Sequence, residues 1–219
     1  MKGEHTIYQG GSEPDQSDLG MIMLHGRGSD ISDMKSVVPS LRLKNVHLLM
    51  PRGPFEIMPG RYAWYSHFWN ENLDENLRQL SNSFEVVDQC ISNMIDAGIE
   101  QENIILFGHS QGANLLLEYF VTNPRPIKAL IALRGCLLGE FTIDRNFENE
   151  LPDDSPLYIH AGRKDPYIPV KKIDQTLDLL QKLGAPVKKR LYETGHGICR
   201  QELMDVKKMF KQKSFVTEE

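Results

Sequence analysis

The 219-residue chain is predicted to be α/β, with a mostly parallel central sheet and helices on both faces. Three observations predict it. Six short apolar runs have the length of buried strands, several stretches between and after them repeat apolar residues at spacings of 3 and 4, and the two kinds alternate along the chain. Strands and helices in alternation form parallel pairs joined by right-handed crossovers.

Taken in order, residues 1–19 hold one extra edge strand around 6–9. The first apolar run, 21–24, passes through His25-Gly26-Arg27-Gly28 into a helix over 31–43. Run 46–50 precedes an excursion over 51–82 that lacks a regular period and reads as a lid or pocket wall. Phe84, Val87, Ile91, Met94 and Ile95 then make one apolar helix face. Run 104–107 leads to a helix carrying Ala113, Leu116, Leu117 and Phe120, followed by run 129–133 and a second excursion over 135–155. Run 157–161, a helix with Ile173, Leu177, Leu180 and Leu183, run 187–192, and a helix with Leu203, Val206 and Phe210 complete the pattern. Neither an internal repeat nor a Pro/Gly/Ser tether divides the chain, so residues 1–219 read as a single domain with a minimal cap.

Composition excludes several classes of function. With 40% hydrophobic residues the chain can bury one sizeable core. A net charge of -5, with Lys and Arg scattered except between 207 and 213, gives no surface for nucleic acid. Cys90, Cys136 and Cys199 are odd in number and lack ligand-like spacing, which argues against a disulfide framework and a structural zinc site. No signal-peptide core occupies the first 11 residues, and no run approaches the roughly 18 apolar residues of a membrane span, so a cytoplasmic protein without stable membrane insertion is expected. Histidine pairs of the zincin kind and a complete G-x-G-x-x-G loop are both missing, so no metal and no cofactor are expected.

The chemistry is carried by Gly108-His109-Ser110-Gln111-Gly112, set between an apolar run and a helical stretch. Gly-x-Ser-x-Gly by itself arises by chance in roughly one such chain in a dozen at ordinary glycine usage. In a strand-to-helix context it becomes a nucleophile elbow, a tight turn that projects the serine hydroxyl above the sheet. Serine is a poor nucleophile at its own pKa and needs a neutral imidazole, itself oriented by a carboxylate. Asp165 directly follows run 157–161 and His196 directly follows run 187–192, so parallel strands would bring both to the edge that carries Ser110. Asp153 and Asp154 precede a strand and belong at the opposite edge. Among the other histidines, His47 and His160 fall inside strands, His5 is near the terminus, and His109 is turned from the serine by the elbow. An oxyanion needs backbone donors. Those expected are the N–H groups of Gln111, at the start of its helix, and of Arg27, in the glycine loop after the first strand; an ordinary glycine turn is the alternative reading of that loop. His25 reads as a structural residue of the same loop.

These residues resemble the phospholipase/carboxylesterase family of α/β-hydrolases, which includes the acyl-protein thioesterases. The resemblance rests on Leu24-His25-Gly26-Arg27-Gly28, Pro51-Arg52-Gly53 with Trp64-Tyr65, Gly108 to Ala113, Asp165-Pro166-Tyr167-Ile168-Pro169, and Gly195-His196 leading into Cys199-Arg200-Gln201-Glu202. It implies the α/β-hydrolase fold and a cofactor-free serine esterase: Ser110 as nucleophile, His196 as base, Asp165 as orienting acid, and the Arg27 and Gln111 amides as oxyanion hole. His109, Ala113 and Arg27 depart from residues common in the family, which bears on substrate rather than on chemistry. The cluster Tyr62, Trp64, Tyr65, Phe68 and Trp69 has two readings, an acyl or aryl pocket or an anchor for the excursion. His109, Trp64, Tyr65, Phe68 and Trp69 are therefore the candidate pocket residues. The expected substrate is a small-molecule carboxylic ester, with thioesters and lysolipids within the same chemistry, and a homodimer stays open. Hydrolysis of cyclic esters, as by dienelactone hydrolases, and a non-catalytic ligand sensor on the same scaffold are the alternatives.

Overall fold

The computed structural model describes residues 5–66, 73–139 and 151–212. In chain order the described strands are β1 (Ile7–Gly11), β2 (Leu19–Leu24), β3 (Val46–Pro51), β4 (Phe55–Met58), β5 (Arg61–Ala63), β6 (Ile104–His109), β7 (Ala129–Leu133), β8 (Leu157–Gly162) and β9 (Val187–Tyr192). The α-helices are α1 (Ile31–Leu41), α2 (Leu73–Asp96), α3 (Gln111–Thr122), α4 (Val170–Lys182) and α5 (Arg200–Gln212).

Seven strands form one sheet in the order β1-β3-β2-β6-β7-β8-β9, parallel throughout except for β1, which runs antiparallel to β3. Side chains alternate between two cores, as a pleated strand covered on both faces requires. Ile22, Leu24, Ile104, Leu106, Leu130 and Ala132 pack in the core that contains Val87, Ile91, Leu116 and Ile173 of α2, α3 and α4. Met21, Met23, Ile105, Phe107, Ile131 and Leu133 pack on the other side with Met34 and Val37 of α1 and Val206 of α5. Five of the six apolar runs thus serve both cores, and the parallel pairing brings the C-terminal ends of β2, β6, β7, β8 and β9 to one edge.

The structure corrects the element assignments in four places. Residues 51–82 are not one irregular excursion: they contain the β4/β5 hairpin, and α2 begins at Leu73, eleven residues before the first apolar position of its periodic face. That first part escaped the apolar period because its inward positions Asn76, Gln79 and Ser83 are polar yet buried. Gln79 Oε1 accepts the Ser66 amide at 2.6 Å and Ser83 Oγ donates to the Trp64 carbonyl, so the helix face is polar where it must satisfy backbone rather than fill space. Ile95, assigned to the apolar face, is 45% exposed because it falls one residue past the buried Met94. Helix α1 stops at Leu41, where Arg42 adopts the left-handed conformation at φ 49°. Strand β9 is an edge strand in which only Tyr192 is buried, and Lys188, Lys189 and Arg190 keep that edge charged.

Candidate active site

The turn from β6 into α3 places Ser110 at φ 53°, ψ -120°, a conformation that an L-residue adopts only where its surroundings enforce it. Both flanking glycines are sterically required. A Cβ at Gly108 would lie 2.6 Å from the Ala113 nitrogen, and one at Gly112 would lie 2.6 Å from the carbonyl oxygens of Leu24 and His25. Gly112 therefore lets the loop after β2 close onto the start of α3.

Three side chains from three strand ends meet at this turn. Ser110 Oγ is 2.8 Å from His196 Nε2, and His196 Nδ1 is 2.8 Å from Asp165 Oδ2. The second oxygen of Asp165 accepts the amides of Tyr167 at 2.9 Å and Ile168 at 3.0 Å, so the carboxylate is fixed by its own turn. Its side chain is fully buried, whereas that of His196 keeps 23% exposure toward the cleft. At Gly162, the last residue of β8, a Cβ would lie 2.3 Å from the Gly195 carbonyl oxygen, and the Lys164 amide donates to Thr194 at 3.0 Å. The loop carrying Asp165 and the loop carrying His196 are thus in backbone contact.

Gln111 is the first residue of α3, where a helix amide has no carbonyl one turn earlier to bond. Across from it, the Arg27 loop is held on two sides. Gly28 donates to the Tyr62 carbonyl at 2.8 Å, Tyr62 donates to Ser29 at 3.0 Å, and Arg61 donates to the Gly28 carbonyl at 3.1 Å. His25 is fully buried; its Nε2 accepts the Gly53 amide at 2.9 Å, which leaves the proton on Nδ1 for the Gly26 carbonyl at 2.8 Å. Burial holds its pKa below the ordinary imidazole value, in keeping with that neutral tautomer.

Residues 9–214 match the phospholipase/carboxylesterase family. The chain belongs to this family. It is a hydrolase of the esterase class, and its sheet with helices on both faces is the α/β-hydrolase fold. A solved phospholipase/carboxylesterase from Dyadobacter fermentans superposes with a TM-score of 0.82 at 26% identity, over 95% of this chain and 97% of that one. Acyl-protein thioesterase 1 of Saccharomyces cerevisiae is 34% identical over 167 residues, 68% of this chain and 71% of that protein. The protein of the same name from Kluyveromyces lactis is 37% identical over 112 residues, a match that spans about half the length of either chain.

Of the two readings open for the aromatic cluster, the described pocket candidates Trp64 and Tyr65 follow the anchor reading. Trp64 and Tyr65 are 0% and 1% exposed and belong to the core beneath the site. Trp64 Nε1 donates to the His25 carbonyl at 2.8 Å, and the Gln111 side chain accepts the Trp64 amide at 2.9 Å while donating to the Tyr65 carbonyl at 2.7 Å. Fully burying an aromatic side chain is worth about 1.5–3 kcal/mol, and the indole N–H of Trp64 with the backbone of Trp64 and Tyr65 joins the Arg27 loop to the elbow. They anchor the segment. Phe68 and Trp69 lie outside the described residues.

The cleft beside Ser110, about 490 Å³, instead opens between α1 and α5, with Met34, Val37, Ile198 and Leu203 as its apolar wall and Arg27, Ser29, Asp33 and Ser36 on its polar side. His109 does line it, next to Ser110, and is bonded through Nε2 to the His196 carbonyl at 3.1 Å. Burial lowers its pKa. Tyr167, 73% exposed, stands edge-on to His196 with ring centroids 5.0 Å apart.

Sequence reasoning missed Arg134, the residue after β7. Its side chain and that of Glu202 are both fully buried and paired at 2.6 Å. Burial pushes the Glu202 carboxyl upward, but its hydrogen bond with His160 and the charge of Arg134 outweigh this and hold it below the ordinary carboxylate value. An arginine in Leu133-Arg134-Gly135 carries no local signal of burial, because its partners lie 26 to 68 residues away.

Proposed function

We propose that the protein hydrolyses carboxylic esters through an acyl-enzyme, with Ser110 as nucleophile, His196 as general base and Asp165 as orienting carboxylate. The hydrogen-bonded chain Ser110–His196–Asp165, 2.8 Å at each link, carries this reading. His196 takes the Ser110 proton as Oγ attacks the carbonyl carbon, and the resulting oxyanion is held by the Arg27 and Gln111 amides. His196 then returns the proton to the leaving group, the acyl–oxygen or acyl–sulfur bond breaks, and water repeats the sequence to free Ser110. Acyl-protein thioesterases among the relatives support thioesters as a second substrate class. The reading includes a single domain over residues 1–219, no cofactor, and a cytoplasmic location. The free cysteines Cys90, Cys136 and Cys199 suit a reducing compartment, and no described helix is long and apolar enough to cross a membrane.

Purified Ser110→Ala protein is expected to lose p-nitrophenyl acetate turnover and labelling by a fluorophosphonate probe, while wild type shows both. Turnover by Ser110→Ala at the wild-type rate would refute the assignment.

A further inference from the structure

We propose that Arg134, locked by Glu202, is the positioning residue that sets the place of His196. The inference rests on His196 being the base. His196 sits between Gly195 and Gly197 in the connection from β9 to α5, where neither helix nor sheet orders the backbone. Three successive carbonyls of that connection are nevertheless tied down from below. Arg134 Nε donates to Gly195 at 3.0 Å, His109 Nε2 to His196 at 3.1 Å, and Arg134 Nη2 to Gly197 at 3.2 Å. The remaining guanidinium nitrogen, Nη1, donates to Glu202 Oε1 at 2.6 Å and to the His160 carbonyl at 3.3 Å.

The geometry uses what is particular to arginine: a rigid planar fork whose nitrogens reach carbonyls on both sides of one residue. A lysine ammonium at the same depth is a single point and cannot span them. Glu202, at the start of α5, neutralises the buried charge and accepts the Cys199 amide at 3.3 Å through its other oxygen, so the fork is referenced to the helix that follows the loop. A buried ion pair is weak as a source of stability, since apolar replacement of both partners is often neutral or favourable. Its place beneath His196 is what the arrangement explains.

The test compares Arg134→Lys and the double variant Arg134→Met/Glu202→Leu, which leaves no unpaired buried charge, with wild type and Ser110→Ala. For folded Arg134→Lys and the folded double variant, kcat is expected to fall by on the order of tenfold to a hundredfold, with KM within about twofold, because misplacement of a reacting group by about an ångström costs that much. The downfield proton resonance of the His196–Asp165 hydrogen bond should shift or broaden in both. Wild-type kcat in either folded variant overturns the proposal. Loss of folding in both also overturns it, because the pair would then be a requirement of the fold and not of His196. Turnover by Ser110→Ala would instead remove the underlying catalytic reading, so the two failures are distinguishable.

Discussion

Gly112 shows how a single missing methyl group places the loop after β2. Two backbone carbonyls, of Leu24 and His25, occupy the space a Cβ would take. Gly112→Ala must push the Arg27 loop outward, at a cost of about 1–3 kcal/mol for overpacking. In the proposed mechanism that loop carries one oxyanion donor, whose displacement lowers turnover by on the order of 10²–10³. The variant is therefore expected to be destabilised yet folded, with kcat lowered roughly a hundredfold, checked by thermal denaturation alongside p-nitrophenyl acetate kinetics. Wild-type kcat in this variant would show that the loop has room to spare. At this scale the sequence was informative where chemistry is local. Ser110, Asp165 and His196 could be singled out because each directly follows an apolar run, and the structure brings all three together. Arg134 could not, because its burial is made by residues distant in the chain. Trp64 and Tyr65 left two readings open because aromatic residues look alike in sequence whether they line a cleft or fill a core.

At the scale of elements, α1 and α5 face each other across the cleft, and their apolar positions Met34, Val37 and Leu203 have two tasks, closing the core beneath the sheet and walling the site. If the acyl chain lies along this wall, bulk added there acts on long chains first. Val37→Trp is expected to lower kcat/KM for p-nitrophenyl octanoate at least about tenfold more than for the acetate, equivalent to about 1.4 kcal/mol of lost differential binding. A C2 to C16 ester series measures it. Equal losses at every length would place the acyl chain elsewhere. The start of α2 shows the converse limit of pattern reading. Apolar periodicity reports a helix that buries carbon, whereas Asn76, Gln79 and Ser83 bury polar atoms, two of them against the backbone of 64–66. The β4/β5 hairpin was equally hidden, since Phe55–Met58 and Arg61–Ala63 are short and half-exposed, and their partners include the Arg27 loop.

For the molecule as a whole, two histidines and three carboxylates act in one direction on stability as pH falls. His25 and His109 have pKa values lowered, chiefly by burial. The unfolded chain therefore binds more protons than the folded one once pH drops toward the ordinary imidazole value of 6.5, and stability declines from there until the folded-state values are passed. Glu202, Asp30 and Asp205 also have lowered pKa values: desolvation opposes the shift in each, but partners including Arg134, Arg52 and Arg190 outweigh it. Their contribution is complete above the unfolded values, 4.5 for the glutamate and 3.8 for the aspartates, and is lost as pH falls through the folded ones. The melting temperature should therefore fall in two stages between pH 8 and pH 3.5, the first beginning near 6.5. Scanning fluorimetry across that range checks it, and a flat profile from pH 7.5 to 5.5 would contradict the first stage.

The sequence by itself determined the α/β alternation, the sheet's strands to within two residues, and the three side chains now found in hydrogen-bond contact. Those follow from periodicity and turn chemistry, which act between near neighbours in the chain. Tertiary structure alone decided which wall of the site is apolar, that Trp64 and Tyr65 lie beneath it, and that Arg134 and Glu202 grip the loop of His196. Burial is a property of what comes to lie above and below a residue. For these residues that is set by how the strand ends and helices pack, over separations that no local pattern spans.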